Sequence, residues 1–112
     1  MRLVIAVLFF SNILASSSWA AEPCAWATGK SFYFLDLKTN YNFPLFALSR
    51  LAESSVETEM TDRTLQEKAK LEGVLTGFIE LMFDPESATI FDGSISTDEL
   101  GNLMYRACED AM

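Results

Sequence analysis

Two cysteines constrain this chain more than any other feature. Cys24 and Cys108 are the only ones present, and they lie close to opposite ends of the sequence. Their chemistry depends on the compartment, which the first residues address. Arg2 supplies a short positive start. Leu3 to Phe10 is an unbroken apolar run, and "SSSWA" places Ser18 and Ala20 at the −3 and −1 positions of a cleavage site. This is the pattern of a signal peptide over residues 1–20, with cleavage after Ala20. The run falls short of the ~20 apolar residues that a membrane span needs, so no stable membrane insertion is expected after cleavage. Cys24 follows Glu22-Pro23 rather than the small residue a lipid-modified cysteine requires. The expected location is therefore periplasmic or secreted.

In an oxidising compartment two cysteines default to a disulfide, and one intramolecular pairing exists, Cys24 with Cys108. Residues 21–112 are long enough for a single helical domain. A domain of that size is marginally stable without help. A cross-link closing nearly the whole chain therefore supplies a large share of the stability such a domain has, ~4–5 kcal/mol in the chain-entropy model against a typical ~5–15 kcal/mol.

The full chain carries sixteen acids against eight bases. Loss of Arg2 with the leader leaves seven bases and a formal charge of −9. Such a surface repels nucleic acid and anionic lipid. It favours solubility and a basic protein partner.

Three segments read as helices from their periodicity. Leu45, Leu48, Ala52, Val56 and Met60, entered through Pro44, form one buried stripe at spacings of three and four. Leu71, Val74, Leu75, Phe78 and Met82 form a second. It is opened by Thr64 and Glu67 at capping-box spacing and stopped before Asp84-Pro85. Ser96 and Glu99 open a third, with Leu100, Leu103, Met104, Ala107, Cys108 and Ala111 on one face. A fourth helix starts at Pro23 and is expected through Lys30. Residues 31–43 stay ambiguous, because "FYFLDLK" alternates and is aromatic as strands are. The fold class is all-α, a small bundle of three to four helices closed by one disulfide.

Little in the chain invites catalysis. Histidine is absent, which removes the commonest acid/base group and metal ligand. No phosphate-binding glycine loop or nucleophile motif occurs. Glu57 with Glu59, Asp98 with Glu99, and Glu109 with Asp110 are neighbours on helices, and the helix dipole accounts for the second pair. Asp84, Glu86, Asp92 and Asp98 surround a glycine in the 84–99 loop without the spacing of a calcium loop. No catalytic residue, metal or cofactor is expected, and the protein reads as a non-enzyme.

Two features point to contacts instead. Gly73 and Gly77 are spaced to let another backbone approach, within the domain or between the protomers of a homodimer. Phe32, Tyr33, Phe34, Tyr41, Phe43 and Phe46 are dense for so short a stretch. Whatever the core cannot hide of them is a candidate protein-binding apolar patch.

Three motifs in order, "CAWATGK", "LEGVLTGF" and "DELGNLMYRAC", give the chain a resemblance to small exported bacterial HdeA-like proteins. These are disulfide-stapled helical proteins, some of them acid-stress chaperones. The chain is more weakly similar to periplasmic immunity proteins that neutralise type VI secretion toxins. There it departs from their pattern, with Phe91 in "IFDGSIS" where they place a cysteine. The first resemblance implies a chaperone-like role, and the second implies an inhibitor of a toxin or enzyme. Both imply an exported protein that binds another protein.

Overall fold

The computed structural model describes residues 22–112; the leader expected over residues 1–20 lies outside them. Among the described residues there are four α-helices and one 3-10 turn: α1 (Pro23–Tyr41), α2 (Leu45–Glu59), α3 (Leu65–Phe83), the turn Ala88–Phe91, and α4 (Thr97–Ala111). The all-α class and the single disulfide are as expected from sequence.

Helix α1 runs eleven residues beyond Lys30. The aromatic stretch is helical because its core-facing residues already carry the helical period. Cys24, Ala27, Ser31, Phe34 and Leu37 are all buried, at spacings of three and four. The apparent alternation of "FYFLDLK" comes from aromatics that occupy more than one face. Pro23 takes the first helical position, where its missing N–H costs nothing, and the Glu22 carboxylate accepts from the Cys24 N–H at 3.2 Å. Asn42 ends the helix in the left-handed region (φ 56°) and donates its N–H to the Leu37 carbonyl. Asparagine tolerates this geometry better than other side-chain-bearing residues.

The other boundaries follow local chemistry. Pro44 is the N-cap of α2, and its carbonyl accepts from the Ala47 and Leu48 N–H groups. Thr64 and Glu67 form a complete capping box on α3, with both reciprocal bonds at 3.1 Å. Ser96 caps α4 by accepting from the Glu99 N–H. Helix α3 stops at Phe83, one residue before Asp84-Pro85.

Helix α3 is the centre of the bundle, packed against each of the other three helices and the 3-10 turn. One core joins Trp26, Phe34 and Leu37 of α1, Leu48, Ala52 and Val56 of α2, and Leu71, Leu75 and Ile79 of α3. A second cluster sits at the other end of the α3–α4 contact, where Phe78 and Met82 meet Leu100 and Met104. Gly101 of α4 faces α1 at ordinary van der Waals distance. A Cβ there would meet the Phe32 ring at 3.5 Å.

Two stripes are narrower than expected. Leu45 is exposed, because it is the first residue of α2 and lies beyond the reach of α3. On α4 only Leu100, Met104 and Cys108 are buried. Leu103, Ala107 and Ala111 face outward, since α4 has α1 and α3 on two sides and nothing beyond.

Candidate functional site

The disulfide forms between Cys24 at the start of α1 and Cys108 near the end of α4, with Cα atoms 5.6 Å apart. This lies within the usual range for such a bond. Both cysteines are buried in the main core. The bond ties α1 to α4 and reaches neither α2 nor α3.

Helix α2 is tied to α1 by polar contacts at its far end. The Trp26 indole Nε1–H donates to Glu59 Oε1 at 2.9 Å, and Lys30 Nζ pairs with Glu59 Oε2 at 2.6 Å. Glu59 is the last residue of α2, so the clamp sits where the helix would otherwise fray. Partial burial pushes the Glu59 carboxyl up, but the Lys30 and Trp26 hydrogen bonds and the Lys30 charge outweigh it and hold its pKa below the ordinary value. The sequence offered no signal for this contact, because Glu59 lies 33 residues from Trp26 and reads as one more surface acid.

The aromatic set divides. Phe34 is fully buried, and Phe43 packs against the main core. Phe32 packs against the second cluster. Tyr33, Tyr41 and Phe46 stay exposed, Phe46 at 70%. The six are therefore core in part and surface in part, spread over α1, the 42–44 connection and α2, rather than one patch. Phe46 and Leu45 flank a shallow depression with Pro44 and Arg50.

Gly73 and Gly77 do not mediate close packing inside the domain. A Cβ built on either would meet nothing within 4 Å, because both lie on the side of α3 turned away from its neighbours. Between α3 and α4 runs a groove of about 240 Å³, walled by Leu81 and Leu103 and floored by Phe78, Leu100 and Met104. Leu81 and Leu103 are 40% and 42% exposed. The groove is lined by apolar side chains throughout, with Ile90 and Ala107 completing it. The sequence missed it by placing Leu103 in the core.

Two acids of the 84–99 loop, Asp84 and Asp92, serve local structure. Asp84 accepts from the Glu86 N–H and the Ser87 hydroxyl. Asp92 accepts from the Ser94 N–H, and this bond holds its carboxyl below the ordinary value. Among the described residues, no group of three or more acids and cysteines is placed to hold a metal ion, and no helix is long and apolar enough to cross a membrane.

These features define an acidic, disulfide-closed four-helix protein with an apolar groove and a carboxylate clamp. Comparison with known protein families, with curated proteins and with solved structures finds no match.

Proposed function

We propose that this is an exported, non-enzymatic helical protein that binds other proteins, with a chaperone-like role of the HdeA-like type. The observation that carries the reading is the Glu59 clamp, set beside the reach of the disulfide. The covalent bond holds α1 to α4, whereas α2 depends on packing and on carboxylates, Glu59 to α1 and the more exposed Glu57 to Lys68 of α3 at 3.8 Å. Carboxylates protonate near pH 4, and Glu59 in the fold does so below its ordinary value. Protonated Glu59 loses its attraction to the Lys30 ammonium, and the acidic chain becomes strongly positive at the same time. Self-repulsion of that kind destabilises compact states. Loosening α2 would uncover Leu48, Ala52 and Val56 and the core residues beneath them, while the staple keeps the remainder compact.

The test combines hydrophobic-dye fluorescence with suppression of client aggregation at pH 7 and pH 2.5. Dye binding and suppression at pH 2.5, both absent at pH 7, support the reading. No rise in dye signal in acid sinks it. The acidic surface also supports a second reading, an immunity protein or inhibitor covering a basic active-site rim. A pull-down from periplasmic extract separates the two. One stoichiometric partner at pH 7 favours the inhibitor, and many partners in acid alone favour the chaperone.

A further inference from the structure

We infer that the outer face at the start of α2 is a self-pairing surface, through which two copies of this chain associate at neutral pH about a two-fold axis. The inference goes beyond the protein-binding reading and does not rest on it, because pairing of the intact fold and capture of a client in acid are separate events.

Shape comes first. Leu45 is 40% exposed and Phe46 70%, and Pro44, Ser49, Arg50 and Glu53 share the shallow depression beside them. A surface this open does not enclose a small ligand. The turn that presents it is fixed. Asn42 closes α1 in the left-handed region and donates its N–H to the Leu37 carbonyl. The Phe43 N–H donates to the same carbonyl at 3.2 Å, and the Pro44 ring sets the next φ at −76°. Little backbone freedom is left to lose when a partner covers this corner.

Charge identifies the occupant. Residues 37–52 hold two bases, Lys38 and Arg50, and no acid, the longest acid-free stretch among the described residues of a chain with sixteen acids. The Lys38 ammonium lies over the Phe83 ring, 5.0 Å from its centre. Arg50 is therefore the base of the patch, and Glu53 is its one acid. Both are exposed, and neither makes a hydrogen bond or ion pair among the described residues. A patch with one base and one acid is neutral, so it draws neither a strongly basic partner nor a strongly acidic one. It complements a surface with the same pair of charges beside apolar side chains, and its own copy is such a surface. In a two-fold contact residue i of one copy meets residue j of the other, and j meets i, so two Arg50–Glu53 pairs form at once. Glu53 lies three residues from Arg50, about 4.5 Å of helical rise. An arginine side chain spans that offset when two α2 helices lie side by side with their Phe46 rings in contact.

One helix face is smaller than the ~800 Å² per partner of a standard stable interface, so the dimer should be weak, with a Kd on the order of 10–100 µM. Sedimentation equilibrium of residues 21–112 at pH 7, over about 5–500 µM to bracket that Kd, reads the pairing. Phe46→Ser should raise the Kd at least about tenfold, the order expected when one large apolar side chain is no longer buried. Arg50→Glu should also raise it, by setting carboxylates against each other. The exchange Arg50→Glu/Glu53→Arg should restore wild-type pairing. These positions are exposed, so each variant should keep the wild-type melting temperature at low concentration. Leu103→Lys, in the α3–α4 groove, should leave the Kd unchanged. A monomer at the highest concentration overturns the inference. So does a dimer that Leu103→Lys dissolves, one indifferent to Phe46→Ser or to Arg50→Glu, or one that the double exchange does not restore. Flotation of a monomeric wild type with phosphatidylcholine vesicles, lost in Phe46→Ser, overturns it as well and makes a lipid surface the occupant. Because every arm runs at pH 7, failure here is distinct from failure of the acid test.

Discussion

Removing the Cys24–Cys108 bond should cost this protein about as much as its most damaging core substitution. The bond spans 84 positions. In the chain-entropy model, closing a loop of that length removes about 15 cal/mol/K from the unfolded ensemble, or about 4.5 kcal/mol at 25 °C. Domains of this size are stable by ~5–15 kcal/mol in total, so the reduced protein should retain at most about two thirds of its stability. At ~4–8 °C per kcal/mol for a domain of 60–100 residues, the melting midpoint should fall by roughly 20–35 °C. The assay is far-UV circular dichroism of residues 21–112 at pH 7, with and without a phosphine reductant. A Cys24→Ala/Cys108→Ala variant runs alongside, since removing both cysteines prevents intermolecular pairing. Both side chains are buried in the core, so the variant also loses some packing and should melt slightly below the reduced wild type. Amide exchange should rise first in α4, which has only α1 and α3 to hold it. A midpoint shift under about 5 °C in both samples would falsify the argument that loop closure is the main stabilising device.

Glu59→Gln keeps an acceptor for the Trp26 indole and removes the charge that Lys30 pairs with. The Glu59 side chain is 40% exposed, so solvent screening limits the expected loss at pH 7 to about 0.5–1 kcal/mol. Glu59 has a depressed pKa in the fold, so its contribution is complete above the unfolded value near 4.5 and is lost as pH falls through the lower folded value. Wild type and variant should therefore converge in urea titrations carried below that point; a gap that persists at pH 2 would refute the clamp's role as an acid-sensitive contact. Gly73→Ala and Gly77→Ala should each raise stability by about 1 kcal/mol, because an alanine Cβ fits without contact at both; destabilisation by either would show packing the fold does not contain. Phe34→Ala should cost about 3–5 kcal/mol, and Phe46→Ala less than about 0.5 kcal/mol, measured by chemical denaturation. Similar losses at the two positions would mean that the division of the aromatic set between core and surface is wrong.

The helix ends were legible in the sequence because they are local. Thr64 with Glu67, Ser96, Pro23 and the Asp84-Pro85 stop act through bonds and sterics within a few residues. The staple was legible too, since two cysteines in an oxidising setting leave one intramolecular pairing. The aromatic run 32–46 was not. Its helix depends on which residues of a mixed apolar stretch find a core, and Phe34 and Leu37 find it only once α2 and α3 are in place. Leu103 shows the same limit from the other direction. Its position fits the apolar stripe of α4, but periodicity cannot say how wide a face the neighbouring helices will cover.

The candidate site belongs almost wholly to the second kind. Glu59, Lys30 and Trp26 meet because α1 and α2 both pack on α3, which brings the end of α2 to the start of α1, and no spacing announces that. The glycine pair was visible as an anomaly, yet whether it faced inward or outward depended on how α3 is rotated within the bundle. By itself the sequence determined an acidic, histidine-free, helical chain with capped segments and a single cross-link, all of which follow from composition and short-range chemistry. Only the tertiary structure decided which apolar residues stay in contact with water and which acid meets a base. Burial and charge pairing depend on residues far apart in the chain, and folding alone brings those together.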